Sequence, residues 1–112
     1  MTAANNSGEW VRLCGVSDLP DPGKALVWVG DRTLAVFRIG GRFWATDDRC
    51  THDGGSLAKG RLEDYAVICP RHGARFDVRT GEVLSGPASV RLAVHEVRVD
   101  GDDVLVRLTE EL

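Results

Sequence analysis

The chain has 112 residues, 43% hydrophobic and 28% charged, with a formal net charge of −3. That length sets one domain with a modest core and leaves no room for a second, catalytic domain. The 14 Lys and Arg are scattered rather than striped, which argues against nucleic acid as a partner, and no apolar run approaches a membrane span.

Residues 1–8 are small and polar and read as a flexible N-terminus, with the folded domain expected over 9–112. They lack the charged and apolar regions of a signal peptide, so a cytoplasmic location is expected. WVRLCGV, from Trp10, reads as a strand, and SDLPDPG after it as a turn region with room for one helical turn. KALVWVG reads as a strand buried on both faces. TLAVFRI and RFWATD flank Gly40-Gly41, a two-residue hairpin signal. DYAVIC is a further short strand, and ARFDVRTGEVL two more, joined through Arg79-Thr80-Gly81. VRLAVHEVRV and DVLVRL flank Asp100-Gly101, another hairpin signal. Nowhere does a helical period of apolar positions persist. The expected fold is all-β, an antiparallel sandwich or small barrel.

Two stretches break this pattern. CTHDGG occupies 50–55 and CPRHGA 69–74, each following a strand. Of three Cys and three His in the chain, two of each fall here. An odd number of Cys without an export signal argues against a disulfide framework, which leaves reduced thiols free to hold metal. Cys50 and His52 in one loop, and Cys69 and His72 in the other, make a four-ligand set. Gly54, Gly55 and Gly73 let the backbone bend tightly around it, and Pro70 stiffens the second loop. Two occupants suit four such ligands. One is a structural zinc ion, although zinc modules usually pair Cys with Cys and His with His. The other is a two-iron centre, in which one iron takes both thiolates and the other both imidazoles.

CTH followed by CPRHG resembles the paired ligand boxes of the Rieske family, and the likeness extends through ARFDVRTGEVLSGPA. It implies one [2Fe–2S] cluster held by Cys50, His52, Cys69 and His72. It also implies an antiparallel β-sandwich or incomplete barrel with two cluster-binding loops at strand ends. Gly86-Pro87 would lie in a third loop covering the cluster, with Ser89 where many members have a second Pro. The implied cluster would carry no net charge when oxidised and a single negative charge when reduced. Both histidines would sit at an outer tip.

Departures from relatives narrow the type. Members from quinol-oxidising membrane complexes carry an extra, disulfide-bonded Cys in each loop; here those places hold Gly55 and Arg71. Such members also place a Ser and a Tyr hydroxyl on cluster sulfurs; here those places hold Ala74 and Phe76. Losing two donors to a more negative reduced state lowers the potential, to roughly −150 mV at the bottom of the Rieske range. A low-potential, single-domain Rieske protein is similar to the ferredoxin component of bacterial aromatic-ring-hydroxylating dioxygenase systems. The resemblance implies transient docking near the histidines with two partners, a flavoprotein NAD(P)H reductase and a terminal oxygenase, with the carrier a monomer. Two other carrier roles share these features: the small subunit of assimilatory nitrite reductase and an accessory ferredoxin of cluster assembly. An enzyme of oxygen chemistry is not expected, because only His95 remains once the cluster is ligated, too few for a two-His-one-carboxylate iron site.

Outside the loops, His95 reads as a surface or edge side chain. Cys14 reads as a buried thiol packing as a small hydrophobe. Trp10, Trp28 and Trp44 read as core or rim. Asp53, Lys59, Arg71 and Arg75 flank the loops as candidates for a docking rim, Arg71 first among them. Asp47 and Asp48 are expected to shape the turn before Cys50.

Overall fold

Alternating strands joined by tight turns account for most of the chain. In the computed structural model, residues 9–51 and 54–109 are described; the expected flexible segment 1–8, with His52 and Asp53, lies outside them. Ten strands follow in order: β1 Val11–Gly15, β2 Gly23–Val29, β3 Arg32–Ile39, β4 Arg42–Asp47, β5 Arg61–Glu63, β6 Ala66–Ile68, β7 Arg75–Asp77, β8 Val83–Ser85, β9 Val94–Asp100 and β10 Asp103–Arg107. Single 3-10 turns stand at Val16–Asp18 and Leu57–Lys59. Gly40 and Gly41 have φ of 61° and 81°, the left-handed pair that a two-residue hairpin between β3 and β4 requires. Their N–H groups donate to the Asp21 carboxylate at 2.9 and 2.7 Å, which fastens the turn.

All pairings are antiparallel and give two sheets. Six strands in the order β1-β10-β9-β4-β3-β2 curl into a nearly closed barrel, and β5-β6-β7-β8 form a smaller sheet. The smaller sheet is built from the chain between β4 and β9, so the part of the sequence holding both Cys/His stretches projects as a lobe from the barrel.

Strand β3 ties barrel and lobe together. Leu34 and Val36 point into the barrel with Phe43, Ala45, Val104 and Val106. Ala35 and Phe37 point the other way, into a second core with Leu57, Val67, Phe76, Val78 and Leu92. All four central β3 residues are wholly inaccessible, and burying each large side chain is worth about 1.5–3 kcal/mol. The strand buried on both faces is therefore β3, not β2. In β2 the outward face carries Leu26 and Trp28, and Trp28 is 65% exposed. The chain alternates apolar with apolar there, but the second core packs on β3 and holds no residue of β2, so the outward face of β2 meets solvent.

Candidate metal centre

The two stretches singled out in the sequence adopt the same backbone frame. In the first, Cys50 N–H donates to Gly55 C=O at 2.8 Å, and Gly54 N–H donates to Cys50 C=O at 2.8 Å. In the second, Cys69 N–H donates to Ala74 C=O at 2.8 Å, and Gly73 N–H donates to Cys69 C=O at 3.1 Å. An antiparallel pair closes each loop just outside, Arg49 with Ser56 and Ile68 with Arg75. The fifth position turns left-handed in both, with φ of 77° at Gly54 and 79° at Gly73. A side chain there would be strained, which is why Gly recurs at that offset.

This frame sets each Cys at the root of its loop. Cys50 and Cys69 are almost inaccessible and belong to one core cluster with Leu57, Ala74, Phe76 and Ala88. Their thiols are in hydrogen-bonding contact with one another, and no disulfide joins any of the three cysteines. Burial pushes the Cys69 thiol above its usual range, and the Cys50 thiol adds to this; the backbone N–H groups of Arg71 and His72 donate to the Cys69 sulfur and pull the other way. A second loop that already aims two N–H groups at a sulfur is built to receive a thiolate. Pro70, Arg71 and His72 at its crest are exposed.

Of the four expected ligands, the structure thus brings Cys50 and Cys69 together and puts His72 at the solvent side. His52 lies outside the described residues. Among the described residues, no three Cys, His, Asp or Glu side chains form a group sized for a single metal ion. Two thiols within and an imidazole without fit a centre with soft donors at one end and nitrogen donors at the other.

A third segment covers this end. Ala88, after a cis Gly86-Pro87 peptide, is buried in the core that holds both cysteines. Thr51, between Cys50 and His52, donates its hydroxyl to Val90 C=O at 2.5 Å. The expected covering loop is therefore present, and Thr51 fastens it.

Below the first loop lie two adjacent acids with different surroundings. Asp48 is 3% exposed; its Oδ1 accepts Ala58 N–H and its Oδ2 the Ser56 hydroxyl, each at 2.7 Å. Asp47 Oδ1 meets Arg32 Nη2 and His95 Nε2, each at 2.9 Å. Burial works to raise the Asp47 carboxyl, but the bonds from His95 and Arg32 outweigh it and hold the group below its ordinary range. Thr109 N–H donates to His95 Nδ1 at 3.0 Å, so the ring's proton sits on Nε2 and is donated to Asp47.

Several sequence expectations change here. His95 is no surface side chain: it is buried, and it braces β4 where the first loop begins. Alternation in β9 could have placed it inward. Cys14 is half-buried at the barrel core rather than fully buried. Trp44 packs on the lobe core and meets Tyr65 edge-on at 5.5 Å, whereas Trp10 lies under the guanidinium groups of Arg98 and Arg107. Arg75 is held by Glu63 at 2.6 Å, which ties up one candidate docking charge. Ser56 and Thr51 were not singled out in the sequence, since a lone hydroxyl gives no signal before its partner is known.

Comparison with known proteins places this geometry among relatives. Residues 9–106 match the family model for the Rieske [2Fe–2S] domain. The 3-phenylpropionate/cinnamic acid dioxygenase ferredoxin subunit of Escherichia coli (strain K12) is 41% identical over 101 residues, covering 89% of this chain and 94% of that protein. Ferredoxin CarAc of Metapseudomonas resinovorans is 42% identical over 98 residues, covering 87% and 92%. Among solved structures, one from a complex of reduced oxygenase and oxidised ferredoxin in carbazole 1,9a-dioxygenase superposes with a TM-score of 0.85 at 40% identity, covering 92% of this chain and 96% of that one. The ferredoxin of carbazole 1,9a-dioxygenase from Nocardioides aromaticivorans IC177 superposes with a TM-score of 0.87 at 28% identity, covering 91% and 100%.

Proposed function

The chain belongs to the Rieske [2Fe–2S] domain family, and from that premise we propose that it is the one-electron carrier of an aromatic-ring-hydroxylating dioxygenase system. Its relatives are ferredoxin subunits, electron-transfer components rather than the enzymes they serve. A Rieske-type [2Fe–2S] cluster is its cofactor, which sets the zinc reading aside. Cys50 and Cys69 would hold one iron, and His52 and His72 the other. When bound, the cluster supplies a one-electron couple near the surface.

The observation that carries this reading is the pair of matched loops, with both thiols meeting in the core and His72 exposed at the crest. The chain's own residues then divide the work. Leu57, Phe76 and Leu92 keep water from the sulfur side. Arg71 and His72 N–H groups stabilise negative charge on Cys69. Exposed Arg71 orients a partner at the crest, giving encounter rate more than lasting affinity. The partners are a flavoprotein reductase on the donor side and a terminal oxygenase on the acceptor side. The carrier works as a cytoplasmic monomer that docks transiently with each. No helix among the described residues is long and apolar enough to cross a membrane.

Iron and acid-labile sulfide analysis, with electron paramagnetic resonance of the dithionite-reduced protein, tests the cofactor. Equal iron and sulfide with a reduced-state signal is expected; colourless protein holding zinc would overturn the reading. Replacing Cys50, His52, Cys69 and His72 one at a time tests the ligand set, since each should abolish that signal. Electron delivery from reductase to oxygenase, absent without this chain, tests the role against nitrite reduction or cluster assembly.

A further inference from the structure

We propose that the groove beside the second ligand loop, rimmed by Lys59 and Arg61, receives a carboxylate side chain of the terminal oxygenase. The oxygenase face that meets this chain is then acidic. The inference rests on the electron-carrier reading above and adds to it the chemistry of the partner.

The groove has a volume of about 310 Å³, and its lining includes Lys59, Arg61, Cys69, Pro70 and Gly73. Glycine shapes it on both sides. At Gly60 a Cβ would stand 2.0 Å from Ile68 C=O, so the chain on either side of Gly60 lies tight against the strand that leads to Cys69. Lys59 and Arg61, its two neighbours, are thereby held along the loop, and both are exposed. At Gly73 a Cβ would meet nothing within 4 Å, so the loop side of the groove is open.

Strand register sorts the charges of the smaller sheet. Arg61 and Arg75 both pair with Ile68, the last residue before the second loop. Glu63 and Asp77 both pair with Ala66, two residues further back. A strand advances about 3.3 Å per residue, so the cations stand at the loop end and the acids roughly 7 Å behind. Lys59 and Arg71 add two more exposed cations at the loop end. Glu63 reaches forward to Arg75 at 2.6 Å and to Arg61 at 3.1 Å, while Lys59 enters no ion pair among the described residues.

The whole chain repeats this separation. Residues 48–93, the lobe, hold seven Lys and Arg against six Asp and Glu; the rest of the chain holds seven against eleven. At the other end of the barrel Asp18, Asp102 and Asp103 gather round the Arg12 guanidinium, with Asp100 on the same hairpin. Strand β9 starts beside β4 where the first loop begins and ends at Asp100, about 20 Å away. An acidic face on the partner turns such a molecule so that the ligand loops lead; a basic face would draw the opposite pole. Once the surfaces are within a Debye length of about 10 Å, the charges at the contact decide the orientation rather than the net charge of the chain.

The test is stopped-flow oxidation of the reduced, cluster-loaded chain by the ring-hydroxylating oxygenase purified from the same organism, at low and high salt. Lys59→Glu should slow the low-salt rate about tenfold, with the gap to wild type closing at high salt and the reduced-state resonance signal intact. Arg42→Glu makes the same change of net charge on an exposed residue at the start of β4, away from the loops. It should stay within about twofold of wild type. A Lys59→Glu rate equal to or above wild type at low salt overturns the proposal, and so does an equal loss in Arg42→Glu. Should Lys59→Glu lose its cluster, Lys59→Gln combined with Arg61→Gln removes charge without reversing it, and an unchanged rate there overturns the proposal as well. Wild-type chain that passes no electron to the oxygenase at any salt would refute the carrier reading itself; wild-type chain that does so, with a rate indifferent to these variants, refutes the groove alone.

Discussion

Restoring the missing hydroxyls gives the sharpest test of how this fold sets a potential. Ala74 and Phe76 are both wholly inaccessible and share a core cluster with Cys50 and Cys69. Ala74 C=O is already tied to Cys69 N–H, so position 74 is fixed with respect to a ligand. In Ala74→Ser a hydroxyl is added beside that ligand, and in Phe76→Tyr one is added in the surrounding core. A hydrogen bond to a group gaining negative charge is worth about 1 kcal/mol more in the reduced than in the oxidised state. With 59 mV for each tenfold change, or about 1.4 kcal/mol, each substitution should raise the midpoint potential by about 40 mV, and the pair by about 80 mV. Two readouts separate the outcomes. A hydroxyl that finds the centre raises the potential and leaves the melting temperature near its starting value. A hydroxyl that finds no acceptor costs about 1–3 kcal/mol of stability and leaves the potential alone. An unshifted or lowered potential in the double variant, with its spectrum intact, would refute the link between these positions and the redox balance.

Charge reversal in Arg71→Glu should slow electron exchange with either partner about tenfold at low salt and leave the absorption spectrum intact; stopped-flow rates that match the wild type at low salt would count against a docking role. Gly60→Ala would drive a Cβ to 2.0 Å from Ile68 C=O, a backbone atom that cannot yield cheaply. A loss of about 1–3 kcal/mol in chemical unfolding is expected, with poorer cluster retention because Cys69 follows Ile68 directly. Asp47 is held below its ordinary range in the folded chain, so its contribution to stability is present above the unfolded carboxyl value near 4 and is lost as pH falls through the folded value. Asp47→Asn should therefore be less stable than wild type at neutral pH and converge on it in acid, as followed by thermal melting across pH; parallel curves would sink the Asp47–His95–Arg32 brace.

What could be read from the chain divides by range. Turns announce themselves locally: Gly40-Gly41 and Gly101 stand where the hairpins need left-handed residues, and the strands flanking Gly40-Gly41 were placed almost to their ends, whereas the strand before Gly101 begins only at Val94, four residues later than VRLAVHEVRV suggests. Burial was harder. KALVWVG and TLAVFRI look alike as apolar runs, and only strand order shows that β3 is sandwiched between two cores while β2 leaves Trp28 in solvent. The three-residue strand β5 escaped notice because Arg61-Leu62-Glu63 carries almost no pattern, and its place comes from pairing with β6.

The ligand loops follow the same rule at finer scale. Their Cys and His types, and the Gly at the fifth position, are local needs and stand plainly in the sequence. The matching of the frames also explains an irregularity that spacing alone leaves unexplained. His52 is the third residue of its stretch and His72 the fourth, yet both stretches close with the same two backbone bonds and the same left-handed turn. The backbone frame therefore does not set the His offset; it sets where the Cys and the turn must be and leaves the residues between free to vary. What holds the first frame in place lies elsewhere in the chain: Thr33 on β3 for Asp48, His95 on β9 and Thr109 beyond β10 for Asp47, Val90 for Thr51. Each partner lies between 15 and 62 positions away and has an ordinary residue type. Chemistry is thus written in two short stretches, whereas the means of holding them still is spread over strands that only folding brings together.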